Sequence, residues 1–255
     1  IVEICHGCGI PLIVDEAHGA HFRYHKGFPV SALDLGADVV IQSLHKTLPA
    51  FTQTSILHVK GDLVDRERLE HYLQIFQSSS PSYLFMAGME RCLKFMEEKT
   101  EITGGRSRMD QFYHRLVKLR KELGAMKRLR LLEEDSKGKN GVYDLDISKV
   151  IISARGTGIN GEELGEWLRR DYHLEMEMCA AEYVTAITTV MDTEEGLRRL
   201  RNALLEIDGK LSDRVESQDC GKKNQRYELK PETVMSIADG WEQADKKISL
   251  EDSVG

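Results

Sequence analysis

A chain of 255 residues with 35 Lys and Arg against 42 Asp and Glu carries a net charge of −7, which argues against a surface built to displace counterions from nucleic acid. At 41% hydrophobic and 30% charged, it suits one large or two smaller globular domains. There is no run of about 18 apolar residues, so no membrane span is expected. The five scattered cysteines and a start without a basic patch and apolar core predict a reducing, cytoplasmic setting.

Residues 1–7 read as the end of a helix, which Gly7 and Gly9 terminate. Ile1 opens inside an amphipathic pattern and Gly255 follows an ordinary polar segment, so the sequence reads as part of a longer chain. Pro11 to Val14 is a short apolar run suited to a buried parallel strand. A crossover of about twenty residues follows, with a short helix expected near Ser31–Leu35. Val39-Val40-Ile41 is the next buried strand, and Thr54 to Val59 the third. Asp62 to Gln77 has helical spacing, with Leu63, Leu69, Leu73 and Phe76 as its apolar stripe. Ser78-Ser79-Ser80-Pro81-Ser82 breaks it. Tyr83 to Glu98 and Arg106 to Leu123 are two further helices, and a domain boundary falls near Gly104-Gly105. Beyond it the pattern alternates: strand 142–154, helix 161–172, strands 174–179 and 183–191, helix 193–208. That reads as a compact α+β domain. Residues 212–226 are polar and read as a linker.

Four constellations carry chemical meaning. LIVDEAHGAH places Asp15 and Glu16 at a strand end, where a helicase holds magnesium and activates water. No later Ser-Ala-Thr or glutamine/arginine-rich element accompanies it, so that reading is set aside. Cys5-x-x-Cys8 with His18, His21 and His25 has donors suited to zinc, but a strand separates the thiols from the imidazoles. Gly156-Thr157-Gly158-Ile159-Asn160-Gly161 follows a strand and opens a helix, with Glu175 and Glu177 about twenty residues on, as in a dinucleotide fingerprint. Against it, Arg155 enters the turn, no second helical crossover follows, and Asn160 with Glu163 reads as a reciprocal helix cap.

The fourth constellation joins two strand ends. Asp15 closes one strand, and Lys46 follows the next, 31 residues later. In open α/β sheets, ligands bind at the carboxyl ends of the strands. One carboxylate, one amine, the hydroxyl of Ser43, the imidazoles of His18 and His45, and small Ala17 suit pyridoxal 5′-phosphate. In that reading Lys46 forms the Schiff base, Asp15 pairs with the protonated pyridine nitrogen, and Ala17 packs on the ring. Ser43 and His45 bind phosphate.

At these residues the sequence resembles the bacterial ornithine/lysine/arginine decarboxylases, fold-type-I (aspartate-aminotransferase-like) pyridoxal-phosphate enzymes. VDEAHGAH, SLHKTLPAFTQTSILHVKG and SSSPSY are similar to their large-domain motifs. DISKVII, GTGINGEEL and LEMEM are similar to their small domain. The likeness covers about 210 residues and is most specific in S-x-H-K-T-L. It implies an α/β fold in which residues 1–105 are the C-terminal part of the cofactor-binding large domain. Residues 106–211 would be the small α+β domain, and 212–255 a linker with the truncated start of a C-terminal domain. It also implies decarboxylation of lysine, arginine or ornithine in the cytoplasm, with no nucleic-acid or membrane partner and no metal. Lys46, His18 and His45 would be catalytic, and His18 would lie near the cofactor's phenolic oxygen or the substrate. Ser78 and Ser79 would reach the phosphate of a neighbouring subunit, so a homodimer or larger homo-oligomer is implied. α-Oxoamine synthases share D-E-A-H and a lysine at similar spacing, but usually with a small residue or serine where His45 stands. A non-catalytic scaffold or subunit partner is the other alternative.

Overall fold

The computed structural model describes residues 1–98, 107–139 and 141–212, with Ser236 and Ser249. The chain divides into two units, residues 1–219 and 220–255. The predicted boundary at Gly104-Gly105 and nearly all of 212–255, including the predicted linker, lie outside the described residues.

The first unit opens with α1 (Val2–Gly7) and β1 (Ile13–Asp15). Gly9, at φ +68°, turns the chain between them, a conformation that glycine adopts at least cost. Asp38 fixes the join. Its carboxylate accepts from the Leu12 backbone and from His6 Nε2, both at 2.8 Å. β2 (Val39–Ser43) runs straight into α2 (Leu44–Thr47), and β3 (Ser55–Val59) returns beside it. The sheet order is β1-β2-β3, with β1 parallel and β3 antiparallel to β2.

Three helices follow: α3 (Arg66–Phe76), α4 (Tyr83–Glu97) and α5 (Arg108–Leu123). Asp65, Ser82 and Ser107 cap them, each accepting a backbone N–H of the first turn, which satisfies a donor that has no intrahelical partner. The stripe predicted for α3 buries nothing among the described residues. Phe76, Tyr83 and Leu84 are all exposed around the serine-rich break.

The second sheet has order β4-β5-β7-β6, with every neighbouring pair antiparallel. Its strands are β4 (Arg130–Leu131), β5 (Lys149–Ser153), β6 (Met178–Cys179) and β7 (Tyr183–Ile187). Helices α6 (Gly161–Tyr172) and α7 (Glu194–Ser212) pack with it. One core cluster joins Leu119 and Leu123 of α5 to Val150, Ile152, Leu164, Val184 and Leu204. The other joins Met109, Phe112 and Leu116 of α5 to Ala20, Phe28, Leu44 and Met96. One helix thus serves both cores.

Several predicted elements are shorter, for local reasons. The expected strand 142–154 begins only at Lys149, because Asp144 Oδ1 accepts from Leu145 N and Asp146 Oδ1 from Ser148 N. Such bonds offer the backbone an alternative to a ladder. The strand expected over 183–191 stops at Ile187, since Asp192 Oδ2 accepts from Thr189 N at 2.6 Å and closes a turn. The strand expected over 174–179 holds only Met178–Cys179. The short helix expected at Ser31–Leu35 is a turn, with Leu35 N donating to Ser31 O and Gly36 following at φ +97°.

The glycine-rich turn is structural. Asn160 and Glu163 form the reciprocal cap, at 2.7 and 2.9 Å. Gly161 sits where a Cβ would strike the carbonyl oxygens of Ala180 and Tyr183, so glycine lets α6 meet the β6–β7 hairpin. β7 lies between β5 and β6. The parallel neighbour that a dinucleotide-binding βαβ unit needs is therefore not next to β5.

Candidate active site

The parallel register pairs Asp15 with Ile41, so β1 and β2 end at the same edge of the sheet. Side chains alternate along each strand. Asp15, Ile41 and Ser43 therefore share one face, and Val14, Glu16, Val40 and Gln42 the other.

Asp15 is exposed. Its Oδ1 accepts from Ala17 N at 3.0 Å, a turn that folds Ala17 and His18 back over the strand end. Its Oδ2 has no hydrogen bond among the described residues. In α2, Leu44 and Thr47 are buried and anchor the turn, which leaves His45 and Lys46 facing outward. His45 Nδ1 donates to the Thr54 carbonyl at 3.1 Å, which leaves Nε2 for another partner. Lys46 is exposed and, among the described residues, has no hydrogen bond or ion pair.

His18 links the two strand ends. Burial holds its imidazole below the ordinary histidine value, the charges of Lys46 and Lys149 add to that, and Glu177 and Asp15 oppose it. Lys46 and Asp15 thus act on one side chain. Lys149 on β5 and Glu177 before β6 act on it too, from more than a hundred residues away in sequence. Sequence reading did not connect these two with His18; they stand within DISKVII and LEMEM, but no spacing rule ties them to it.

Ser78 and Ser79 lie on the exposed connection between α3 and α4. The Ser78 hydroxyl donates to Ser80 O and accepts from Ser80 N, both at 3.2 Å. Among the described residues, neither serine touches the Asp15–Lys46 edge.

Glu16, which had no role in the sequence reading, has a structural one. Its carboxylate accepts from Ser31 Oγ and Ala32 N at 2.8 Å and from Gln42 Nε2 at 2.6 Å. Gln42 Oε1 in turn accepts from His58 Nε2 at 3.2 Å. Glu16 therefore ties the crossover to β1 and β2 and is not free to activate water. Two histidines of the zinc reading are engaged elsewhere. His21 is buried against Asp146, and His25 pairs with Asp110 at 3.3 Å while stacking on Tyr113. Among the described residues, no three His, Cys, Asp or Glu side chains converge as metal ligands.

An open carboxylate oxygen, an unpaired amine, a serine hydroxyl on the same face and a small alanine at the strand end fit a flat, phosphorylated aldehyde cofactor. The fold is that of the fold-type-I pyridoxal-phosphate enzymes. The Escherichia coli constitutive lysine decarboxylase structure superposes with a TM-score of 0.62 at 18% identity, covering 78% of this chain and 33% of that one. Alanine–glyoxylate aminotransferase from Nostoc gives 0.54 at 14% identity, covering 80% and 55%. Within that class the chain belongs to the Orn/Lys/Arg decarboxylase family, whose major-domain model matches residues 1–195. Arginine decarboxylase of Halalkalibacterium halodurans is 32% identical over 257 residues, covering 100% of this chain and 50% of the relative. The chain spans about half the length of the curated relatives it matches.

Proposed function

We propose that this chain carries the catalytic edge of a pyridoxal-phosphate-dependent decarboxylase acting on lysine, arginine or ornithine. The observation that carries the reading is the shared edge of β1 and β2, where Asp15 and Lys46 both act on His18. The cofactor, when bound, supplies an electron sink for the bond to the departing carboxylate. Lys46 would hold the cofactor's aldehyde, and its amine could carry a proton. Asp15 Oδ2 would pair with the ring nitrogen and keep a proton there. Ala17 packs against the ring without crowding it. The Ser43 hydroxyl and His45 Nε2 bind phosphate. His18, kept neutral at pH 7 by burial and by the two lysines, hydrogen-bonds the phenolic oxygen or the substrate.

In this reading residues 1–105 belong to the large domain, 106–211 to the small domain and 212–255 to the start of a third. The enzyme works in the cytoplasm as a homodimer or larger assembly, with Ser78 and Ser79 reaching a neighbouring subunit's phosphate. Exposed Phe76, Tyr83 and Leu84 beside those serines support a contact there. Amine release from lysine, arginine and ornithine, measured with added cofactor, tests the proposal. Release from one of them supports decarboxylation, and none from any rejects it for this chain.

A further inference from the structure

His21, at the end of the DEAHGAH loop, and Asp146, just before β5, meet in a closed cluster that the proposed chemistry does not use. His21 is 2% exposed. Its Nε2 lies 3.3 Å from the Asp146 carboxylate and 3.4 Å from Ser148 Oγ. Asp146 also accepts from Ser148 N at 2.9 Å, Ser148 Oγ at 2.8 Å and Lys149 Nζ at 3.0 Å. The imidazole is wedged edge-on between Phe22 and Phe28, with ring centroids 4.9 and 4.7 Å away.

Geometry decides what such a cluster can do. The start of the loop from Asp15 to His21 is held by Asp15 Oδ1 accepting from Ala17 N, by Gly19 N donating to Glu16 O, and by the bonds of the Glu16 carboxylate to Ser31, Ala32 and Gln42. At its far end, where Ala20 enters the core, the side-chain tie to the β5 region is the His21 imidazole, bonded to a residue 125 positions away. A charge-assisted bond inside an apolar pocket is stiff and costly to break. Burial alone would raise the Asp146 carboxyl. The His21 bond and charge, with Lys149 and Ser148, instead hold it well below the usual carboxylate range, so it remains an acceptor at neutral pH. The same cluster fixes Lys149, whose charge reaches His18.

We propose that His21 and Asp146 are positioning residues that hold the loop bearing Asp15, Ala17 and His18 against β5 and so set the geometry of the cofactor edge. The proposal rests on the reading of that edge as a cofactor site, but one arm of its test does not. His21→Leu fills the space between Phe22 and Phe28 and removes the donor, whereas His21→Gln keeps a donor of similar reach. The whole chain is followed in each form by NMR titration of His18 without cofactor, and by binding of pyridoxal 5′-phosphate. In His21→Leu the His18 titration moves up toward 6.5 as its burial loosens, and cofactor binding weakens about tenfold or more. His21→Gln restores both. A His18 titration unmoved in His21→Leu overturns the proposal, even if the melting temperature drops. If the wild-type chain binds no cofactor, the cofactor reading fails, and the His18 titration alone decides the positioning role. If His21→Leu does not fold, Ser148→Ala takes its place. It loosens Asp146 from one side, with a smaller shift of the same sign expected and no shift overturning the proposal.

Discussion

Glu16 and Gln42 face one another across the parallel strands β1 and β2, with Gln42 Nε2 donating to Glu16 Oε2 at 2.6 Å. Ser31 and Ala32 from the crossover complete the carboxylate's shell. Glu16→Ala leaves three donors without their acceptor and is expected to cost about 2–3 kcal/mol, read from chemical denaturation. Because Glu16 lies on the face away from Asp15, the variant should still form a covalent cofactor adduct wherever it is folded.

Much of this was legible in the sequence. The alternation in LIVDEAHGAH separates Asp15 from Glu16, and the 31-residue interval to Lys46 suits a parallel pair joined by a crossover. Helix α6 could be read at both ends because Asn160 and Glu163 announce its start. What could not be read was long-range partnership. Ser31 and Gln42 as partners of Glu16, and Asp146 as partner of His21, become visible only once the chain is folded. Strand lengths over 142–154 and 183–191 were overestimated because β-branched runs mark strands strongly. Asp144, Asp146 and Asp192 bound those strands by accepting from the backbone N–H groups of Leu145, Ser148 and Thr189.

Acid should weaken the fold in a defined window. Burial, then Arg23, hold the His58 imidazole below its ordinary 6.5, against Glu16, and burial and the lysines do the same for His18. The unfolded chain therefore takes up these protons at higher pH than the folded chain. The stability the neutral imidazoles contribute is present above 6.5 and is lost as pH falls through their folded values. The lowered carboxyls of Asp38 and Asp146 act only further down, below 3.8. The melting temperature should fall as pH drops below 6.5, and His58→Gln should shrink that fall. An equal fall in the variant would remove His58 from the account.

Gly161→Ala tests the glycine-rich turn as a packing device. The added methyl meets backbone, including Tyr183 N at 2.7 Å, and backbone cannot swing aside. A loss of about 2–3 kcal/mol is expected, measured by thermal melting. Gly156→Ala meets no neighbour and suffers only its φ of +77°, so its cost should stay near 1 kcal/mol. Equal costs at the two sites would contradict the packing argument.

Asp15→Ala separates cofactor binding from turnover. Without a carboxylate at the strand end, the ring nitrogen has no partner to hold its proton. Amine formation by cofactor-loaded protein should fall by about 100-fold or more, while the covalent adduct still forms. Turnover within a few fold of wild type would show that Asp15 does not serve the ring.

Lys46 is proposed as the residue the cofactor bonds. Incubating the whole chain with pyridoxal 5′-phosphate, fixing the adduct with borohydride and locating it by peptide mass spectrometry tests this directly. One pyridoxyl group is expected on the peptide containing Lys46, absent in Lys46→Ala. An adduct that persists in Lys46→Ala, or that falls on another lysine of the wild-type chain, would contradict it.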